Sequence, residues 1–322
     1  MSRDRRPAAD LRLDPLYVRR RLKEAGLRAR HNLSQNFLAD VDVLEGILRE
    51  ADPNPGGAVL EIGPGLGFLT SGLLSAGAAV TAVELDRGLV AQLRESFAEE
   101  LADGRLRVIE GDALDQDLVN LCPPPYDVVA NIPYHITSPI LHRLLGKEPR
   151  AERLVLMVQR EVAERIAAAP GDMSYLSVFV QYHAKARVAF KVGRDSFEPA
   201  PKVESAVLVL EPYPPDDRLD AAAEANLWRI VQAGFRERRK MLHNVLSRQL
   251  PVEPARVAAA LETAGIDPNR RPQTVAVGEW LALLAAIGEI GEDNRGRRRE
   301  RGGPAADDAG DELPEEKPDD GK

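Results

Sequence analysis

The chain has 322 residues, enough for one full α/β domain and a smaller one. Hydrophobic residues make up 44% of it, but no apolar run approaches membrane-spanning length, and the first residues lack the apolar core of a signal peptide. A single cysteine, Cys122, leaves no disulfide within the chain and fits a protein of the reducing cytoplasm. Because no apolar run could span a bilayer, no membrane partner is expected. The five histidines show no metal-ligand spacing, so no metal is expected.

The net charge of −8 argues at first against a nucleic-acid partner. The basic residues, however, are concentrated in two segments. Residues 16–31 contain six arginines and lysines against one acid, and residues 229–248 contain six against one. Two such patches on an acidic protein suit a phosphate backbone that is held at chosen places. Two ordinary basic surface helices would have the same composition.

Residues 1–29 are predicted to form a basic N-terminal segment that is mobile over its first fifteen residues. A helical pattern covers residues 15–29, and a second one covers residues 40–51. Between the two helices lies a polar stretch that ends in Gln35-Asn36-Phe37-Leu38. The strands of the predicted catalytic domain begin after the second helix.

A glycine loop follows the first predicted strand. The apolar run from Val59 to Ile62 ends in Gly63-Pro64-Gly65-Leu66-Gly67, and an amphipathic segment comes next. This order indicates strand, tight loop and helix, and glycines let the backbone approach a bound cofactor. The spacing differs from the G-x-G-x-x-G dinucleotide fingerprint, so it indicates only a nucleotide-like cofactor. A glycine turn without a ligand has the same pattern.

Two further predicted strands each deliver an acidic residue. Strand 79–84 ends in Glu84, about twenty residues after the glycine loop. An acid at that place can hold ribose hydroxyls, as in doubly wound folds generally. Strand 106–109 leads to Asp112, whose carboxylate can accept a hydrogen bond from an adenine amine.

The fourth strand ends in the most informative motif, Asn131-Ile132-Pro133-Tyr134. The exocyclic amine of adenine is a poor nucleophile because its lone pair is delocalised into the ring. The side-chain oxygen of Asn131 and the carbonyl of Ile132, which precedes Pro133, can both accept from that amine and orient its lone pair. Tyr134 offers a flat face for a flipped-out base. A plain strand that runs into a proline turn would show the same four residues.

Taken in order, the glycine loop, Glu84, Asp112 and the Asn131 motif resemble a class I S-adenosylmethionine methyltransferase that acts on the amino group of adenine. In a doubly wound sheet the first and fourth strands are neighbours at the switch point, where ligands bind. The glycine loop and Asn131 should therefore face one crevice. A nicotinamide enzyme has no need for the Asn131 motif.

The later part of the catalytic domain contains Phe197 in a proline-rich loop, Phe197-Glu198-Pro199-Ala200-Pro201-Lys202-Val203. The two prolines keep this loop extended. Phe197 could stack on a base or fill a small gap in the core, and the sequence favours neither alternative. The remaining predicted elements of this domain are strands at 153–158, 187–192 and 205–210 and helices at 159–166 and 175–183.

After residue 213 the strand patterns stop. Helical patterns cover residues 219–250, 254–264 and 277–290, and the sequence beyond them is charged and poor in apolar residues. The predicted organisation is a basic N-terminal segment (1–29), a methyltransferase catalytic domain (30–213), a helical RNA-binding domain (214–290) and a disordered charged tail (291–322).

Further motifs extend the resemblance to one family. They are Gln35-Asn36-Phe37-Leu38, Ile136-Thr137-Ser138-Pro139, Gln159-Arg160-Glu161-Val162-Ala163, the proline-rich loop and Phe235-Arg236-Glu237-Arg238-Arg239-Lys240. With these, the chain resembles the small-subunit ribosomal RNA adenine dimethyltransferases of the KsgA/RsmA family over roughly residues 30–250. Two departures are Ser34, where the family usually has glycine, and residues 172–175, where it usually has a Gly-Arg pair.

The resemblance implies a Rossmann-like seven-stranded α/β sheet with a small C-terminal all-helical domain. It implies S-adenosylmethionine as cofactor, and N6,N6-dimethylation of two adjacent adenines in the 3′-terminal hairpin of 16S ribosomal RNA. The partner would be an immature 30S particle, with no obligate protein partner evident. The implied cofactor-binding residues are Asn36, Leu38, Gly63, Glu84, Asp112 and Asn131; the candidate catalytic residues are Asn131, Ile132, Pro133, Tyr134 and Phe197; the candidate RNA-binding residues are Arg236, Arg238, Arg239 and Lys240.

Two other functions stay open. The stretch Leu33-Ser34-Gln35-Asn36-Phe37-Leu38 also resembles the Erm proteins, which methylate an adenine of 23S ribosomal RNA and confer antibiotic resistance. The proline-rich loop and the Phe235 motif favour the small-subunit enzymes over these. The other alternative is an assembly factor that binds RNA without methylating it, against which the complete glycine loop and Asn131 motif argue.

Overall fold

The structure, a computed structural model, describes residues 13–30, 35–214 and 218–291. Within these ranges every helix is too short or too polar to span a bilayer. The strands are β1 (Phe37–Leu38), β2 (Ala58–Ile62), β3 (Ala79–Glu84), β4 (Leu106–Glu110), β5 (Tyr126–Asn131), β6 (Arg153–Gln159), β7 (Ala184–Val192), β8 (Phe197–Glu198) and β9 (Ser205–Pro212). The helices are α1 (Pro15–Glu24), α2 (Val41–Ala51), α3 (Phe68–Ser75), α4 (Arg87–Ser96), α5 (Ala98–Ala102), α6 (Thr137–Leu145), α7 (Arg160–Ile166), α8 (Tyr175–His183), α9 (Ala221–Phe235), α10 (Leu242–Gln249), α11 (Pro254–Thr263) and α12 (Val277–Ile287).

Seven strands form one mixed sheet in the order β4-β3-β2-β5-β6-β9-β7. The five strands from β4 to β6 in this order are parallel, and β9 runs antiparallel to both of its neighbours. The strand order reverses between β2 and β5, which are hydrogen-bonded neighbours. These are the first and fourth strands of the sequence prediction, and their adjacency is confirmed. The remaining two strands, β1 and β8, pair with each other outside this sheet.

Alternation along the central strands fills a separate core on each face of the sheet. Val59 and Val129 point into the core that α1, α2 and α3 cover, whereas Leu60 and Val128 point into the core that α6 and α8 cover. Because both faces are covered, these strands are apolar throughout, as parallel strands usually are.

A third core lies among the C-terminal helices α9 to α12, where Trp280 is fully buried. Helix α8 contributes Val178 and Tyr182 to this core. The helical region is therefore packed directly on a helix of the sheet region. The domain boundaries at 29/30, 213/214 and 290/291 stay a prediction.

Several helices end earlier than the sequence patterns predict, among them α12, which ends at Ile287 and not near residue 290. Helix α1 stops at Glu24 and not near residue 29, because Gly26 adopts a left-handed conformation, with φ of 67°, and ends it. The single pattern over residues 219–250 is two helices, interrupted at residues 236–241. Ser34, the first twelve residues and the tail from 292 onward lie outside the described residues.

Candidate active site

A cavity lies at the carboxyl ends of β2, β3, β4 and β5, where the strand order reverses. This is the place where open α/β sheets bind their ligands. Its floor is apolar and includes Ile62, Ala113 and Ile132. The polar groups that surround the floor come from the glycine loop, the ends of the neighbouring strands and the segment before β1, and they include Asn36, Glu84, Asp112 and Asn131.

The glycine loop forms one side of this cavity. Gly63 and Gly65 have φ angles of 68° and 58°, in the left-handed region that residues with a Cβ rarely adopt. A Cβ on Gly65 would lie 3.1 Å from the ring of Phe37, so the loop is also closely packed. A Cβ on Gly63 would lie 3.7 Å from the carbonyl oxygen of Asn131, so the ends of β2 and β5 lie side by side at the cavity.

Glu84 lies at the end of β3 and is buried, with 6% of its surface exposed. Its Oε1 accepts a hydrogen bond from the backbone N–H of Asp86 at 2.9 Å, and its Oε2 accepts from that of Gly65 at 3.1 Å. Burial raises the pKa of Glu84, and these two hydrogen bonds oppose the shift. Each carboxylate oxygen retains a second lone pair, so the group can still accept from a pair of hydroxyls.

Asp112 and Asn36 line the same cavity. The Oδ1 of Asp112 accepts from the backbone N–H of Leu114 at 2.8 Å, which fixes the carboxylate at the end of β4. The carbonyl oxygen of Asn36 accepts from the Nδ2 of Asn131 at 3.3 Å. Leu38 lines the cavity as well, from strand β1.

The Asn131 motif occupies the end of β5. The backbone N–H of Ile132 donates to the carbonyl of Met157 at 3.0 Å, which continues the pairing of β5 with β6 into the motif. The hydroxyl of Tyr134 lies 2.7 Å from the Oγ of Ser205 at the start of β9, and burial raises the pKa of this phenol. The tyrosine ring is therefore tethered at its outer end and forms part of the cavity wall.

The family model that matches this chain is described as ribosomal RNA adenine dimethylase, and it covers residues 26–288. The chain belongs to this family. The family prediction, and with it the prediction of a methyltransferase enzyme, is confirmed. The fold is the one that the family implies, a class I methyltransferase sheet with a C-terminal helical region.

Two curated relatives cover most of the dimethylase chain. Ribosomal RNA small subunit methyltransferase A of Anaeromyxobacter sp. (strain K) is 44% identical over 275 residues, which are 81% of this chain and 94% of that protein. The protein of the same name from Thermosynechococcus vestitus is 42% identical over 272 residues, which are 82% of this chain and 98% of that protein.

Two solved structures have the same fold. A dimethyladenosine transferase from Plasmodium falciparum superimposes with a TM-score of 0.66 and 27% identity, over 77% of this chain and 96% of that one. The 23S rRNA methyltransferase ErmE superimposes with a TM-score of 0.64 and 31% identity, over 78% of this chain and 99% of that one.

The structure corrects the prediction for Phe197. Only 2% of its surface is exposed, and the ring belongs to the core that also contains Val18, Leu22 and Phe37. Phe197 does not line the cavity. Its register partner on β1 is Leu38, and Leu38 does line the cavity. Because α1 covers the ring, stacking on a base is wrong for Phe197, and the alternative of a core residue is right.

Glu61 is a cavity residue of this dimethylase to which the sequence reasoning gave no role. Its side chain is buried, and its Oε2 accepts from the hydroxyl of Thr70 at 2.6 Å. The other oxygen, Oε1, is buried without a hydrogen-bond partner. Burial raises the pKa of Glu61 to about 8, and the neighbouring Glu84 adds to the shift. The sequence feature that could have indicated Glu61 as a site residue is an acid near the end of an otherwise apolar strand.

Both basic segments contain cations with partners. In the N-terminal segment Arg19 contacts Glu198 at 2.7 Å and Arg30 contacts Asp86 at 3.1 Å. In the C-terminal segment Arg248 contacts Glu237 at 2.9 Å. This segment includes the turn between α9 and α10, residues 236–240, which we call the basic turn. Its four cations are exposed on the helical region: Arg236, Arg238, Arg239 and Lys240.

Proposed function

We propose that this dimethylase transfers methyl groups from S-adenosylmethionine to two adjacent adenines in the 3′-terminal hairpin of 16S ribosomal RNA, within an immature 30S particle. The observation that carries the proposal is the placement of Asn131 and Ile132 opposite the glycine loop on adjacent strands of one sheet. A methyl donor on the loop and an amine on the Asn131 motif would then meet in a single cavity.

The residues around the cavity fit S-adenosylmethionine. The left-handed conformations of Gly63 and Gly65 form the tight turn at the end of β2, and Glu84 presents a fixed carboxylate that can accept from the ribose hydroxyls. Asp112 stands on the next strand to accept from the adenine amine of the cofactor. When bound, this cofactor supplies a methyl group that its sulfonium has already activated.

The protein has to align the substrate amine. The Nδ2 of Asn131 donates to the carbonyl of Asn36, so its Oδ1 is the end that accepts from the adenine amine. The carbonyl of Ile132 is the second acceptor, and Tyr134 provides the ring on which the base stacks. Two acceptors on one amine orient its lone pair toward the methyl donor, and the apolar floor limits the access of water.

Phosphate binding is assigned to the basic turn. Its four cationic side chains are exposed, and the turn connects α9 to α10 in the helical region. Lysine and arginine on such a turn neutralise phosphates without reading the sequence. Base selection would then depend on the cavity, and particle affinity would depend on the basic turn.

The relatives favour the small subunit over the large one as the substrate. The proteins named for the small subunit are up to 44% identical to this chain, and the match spans 94% of their length or more in the two cases given above. ErmE, named for 23S rRNA, is 31% identical. The complete cavity supports a catalytic role and argues against an assembly factor that binds RNA without methylating it.

Mapping of methylated adenines tests the proposal. Immature 30S particles and 50S subunits, both from cells without this activity, are each incubated with the purified protein and S-adenosylmethionine, and digested RNA is analysed by mass spectrometry. The proposal expects N6,N6-dimethyladenine at two adjacent positions near the 3′ end of 16S RNA. Methylation of 23S RNA alone would support the Erm alternative, and particle binding without methylation would support the assembly factor.

A further inference from the structure

Asp86 connects two parts of the cavity that are far apart in sequence. We propose that Asp86 is a positioning residue: it holds residues 27–30 and 35–38, here called the N-terminal wall, against Glu84, and thereby raises the affinity for S-adenosylmethionine. The inference rests on the proposed function, because it concerns the cavity to which that cofactor is assigned.

One oxygen of Asp86 holds the N-terminal wall. Its Oδ2 accepts from the Nε of Arg30 at 3.1 Å and from the Nε2 of Gln35 at 3.3 Å. The backbone N–H of Arg30 donates in turn to the Oε1 of Gln35 at 2.9 Å. Arg30 and Gln35 therefore contact both each other and the same carboxylate oxygen.

The other oxygen and the backbone of Asp86 hold the cofactor side. Its Oδ1 accepts from the backbone N–H groups of Gly88 at 2.8 Å and Leu89 at 3.4 Å, and so caps helix α4. Its own N–H donates to the Oε1 of Glu84 at 2.9 Å. Capping of α4 explains the position of Oδ1 but does not involve Oδ2. The contacts of Oδ2 with Arg30 and Gln35 therefore indicate a second role for Asp86.

The N-terminal wall packs directly on the cofactor-binding elements. Gln35, Asn36 and their neighbours line the cavity, and the ring of Phe37 lies against Gly65. Leu27 fills the space beside Gly88, since a Cβ there would lie 2.5 Å from its Cδ2. A wall held away from Asp86 would lose these contacts, and the cavity would lose one side.

Anchoring of the wall and cofactor binding are consequently linked. The Asp86 side chain is 3% exposed, so its charge depends on the donors around it, whereas Arg30 is 56% exposed. A cofactor that contacts the wall favours the anchored state, and by reciprocity the anchored state favours the cofactor. Removing either member of the Asp86–Arg30 pair should weaken binding by the same route.

The test compares three single variants and one double variant, which combines Asp86→Asn with Arg30→Gln. Asp86→Asn keeps an acceptor for the helix cap and removes the charge that faces Arg30. Arg30→Gln removes the exposed partner, which carries little risk to folding. Arg87→Gln is the matched control, because Arg87 is the next residue after Asp86 and pairs with Glu110 at 2.9 Å, outside the cavity.

Two readouts are measured on the full chain: the Kd for S-adenosylmethionine by calorimetry, and hydrogen exchange of residues 35–38. We expect Asp86→Asn and Arg30→Gln each to raise the Kd by roughly tenfold and to speed exchange, with no further loss in the double variant. Arg87→Gln should stay within about twofold of wild type.

The inference is overturned if wild type binds the cofactor and both variants bind it equally well, or if the double variant shows the sum of two independent losses. A wild type that does not bind S-adenosylmethionine would contradict the proposed function instead. In that case faster exchange in both variants would still support the anchoring role of Asp86, and unchanged exchange would refute it.

Discussion

The Nδ2 of Asn131 donates to the backbone carbonyl of Asn36 at 3.3 Å, across 95 positions of sequence. This hydrogen bond joins the end of β5 to the segment before β1, both of which line the cavity. It also uses the donor end of the amide, so that the acceptor end is left for a substrate amine. In the proposed function this contact would link cofactor binding to the alignment of the methyl acceptor.

Replacement of Glu84 by alanine should weaken S-adenosylmethionine binding by about 1–3 kcal/mol, the usual range for hydrogen bonds to a charged group. Calorimetry on the folded variant measures the effect. Glu110→Ala is the matched control, because Glu110 is the register partner of Glu84 at the end of the neighbouring strand and does not line the cavity. Equal losses in both variants would show that Glu84 has no specific role.

Glu61 should make the stability depend on pH. Its pKa is about 8 in the folded protein against 4.5 ordinarily, because the carboxyl is buried. Between these values the folded protein holds a proton that the unfolded chain releases. The free energy of unfolding therefore falls as pH rises, by at most roughly 1.4 kcal/mol per pH unit.

Urea unfolding between pH 5.5 and pH 8 measures this dependence in wild type and in Glu61→Gln, which resembles the protonated acid. Between pH 5.5 and pH 8 the free energy of unfolding of Glu61→Gln should fall clearly less than that of wild type, because the variant lacks one titrating group. Identical slopes in the two proteins would mean that Glu61 is ionised throughout.

Tyr134 should contribute mainly through its ring. Tyr134→Phe removes the hydrogen bond to Ser205, which is worth about 1 kcal/mol, so methylation should fall by roughly fivefold. Tyr134→Ala also removes the stacking surface, worth about 1–3 kcal/mol per base, and should be the weaker enzyme of the two. The values of kcat/KM on the RNA particle decide between them. Equal activity of the alanine variant and wild type would exclude stacking on this ring.

Reversal of the four cations of the basic turn to glutamate should weaken particle binding. It should also lower the slope of log K against log salt by about three, because up to four phosphate contacts are lost. A filter-binding series at several salt concentrations gives both values, and a slope equal to that of wild type would mean that the turn contacts no phosphate. A control of equal charge change reverses cations that lie in ion pairs elsewhere: Arg49, Arg87, Arg105 and Lys147.

The central part of the fold could be predicted because its signals are local. Apolar strands that end in a glycine loop or in Asn131 follow one another in a fixed order, and the doubly wound topology places the first beside the fourth. Helix α8 begins and ends where the apolar pattern over residues 175–183 predicts. The polar residues at these strand ends accordingly line one cavity.

Other predictions were wrong because they depend on contacts between distant parts of the chain. Phe197 is buried because α1 and Phe37 lie over it, which the proline-rich loop does not reveal. The helix breaks at the basic turn, and at the start of α10 the N–H groups of Leu242 and His243 donate to the carbonyls of Arg270 and Pro268. The pairing of Arg30 with Asp86 was likewise outside what a count of charges can predict.

Asn131→Ala tests the central claim most directly. The variant keeps the glycine loop, Asp112 and the basic turn, but it loses the side-chain acceptor that orients the substrate amine. Single-turnover methylation of 30S particles is measured at saturating S-adenosylmethionine, so that weaker cofactor binding does not contribute. Particle affinity is measured in parallel by filter binding.

We predict a rate at least about 100-fold below that of wild type, because alignment supplies much of the acceleration. Particle affinity should be nearly unchanged, because it depends mainly on phosphate contacts. A variant that methylates at the wild-type rate would contradict the role of Asn131 in aligning the amine. A variant that also loses particle binding would show that this residue anchors RNA and does not align the reacting group.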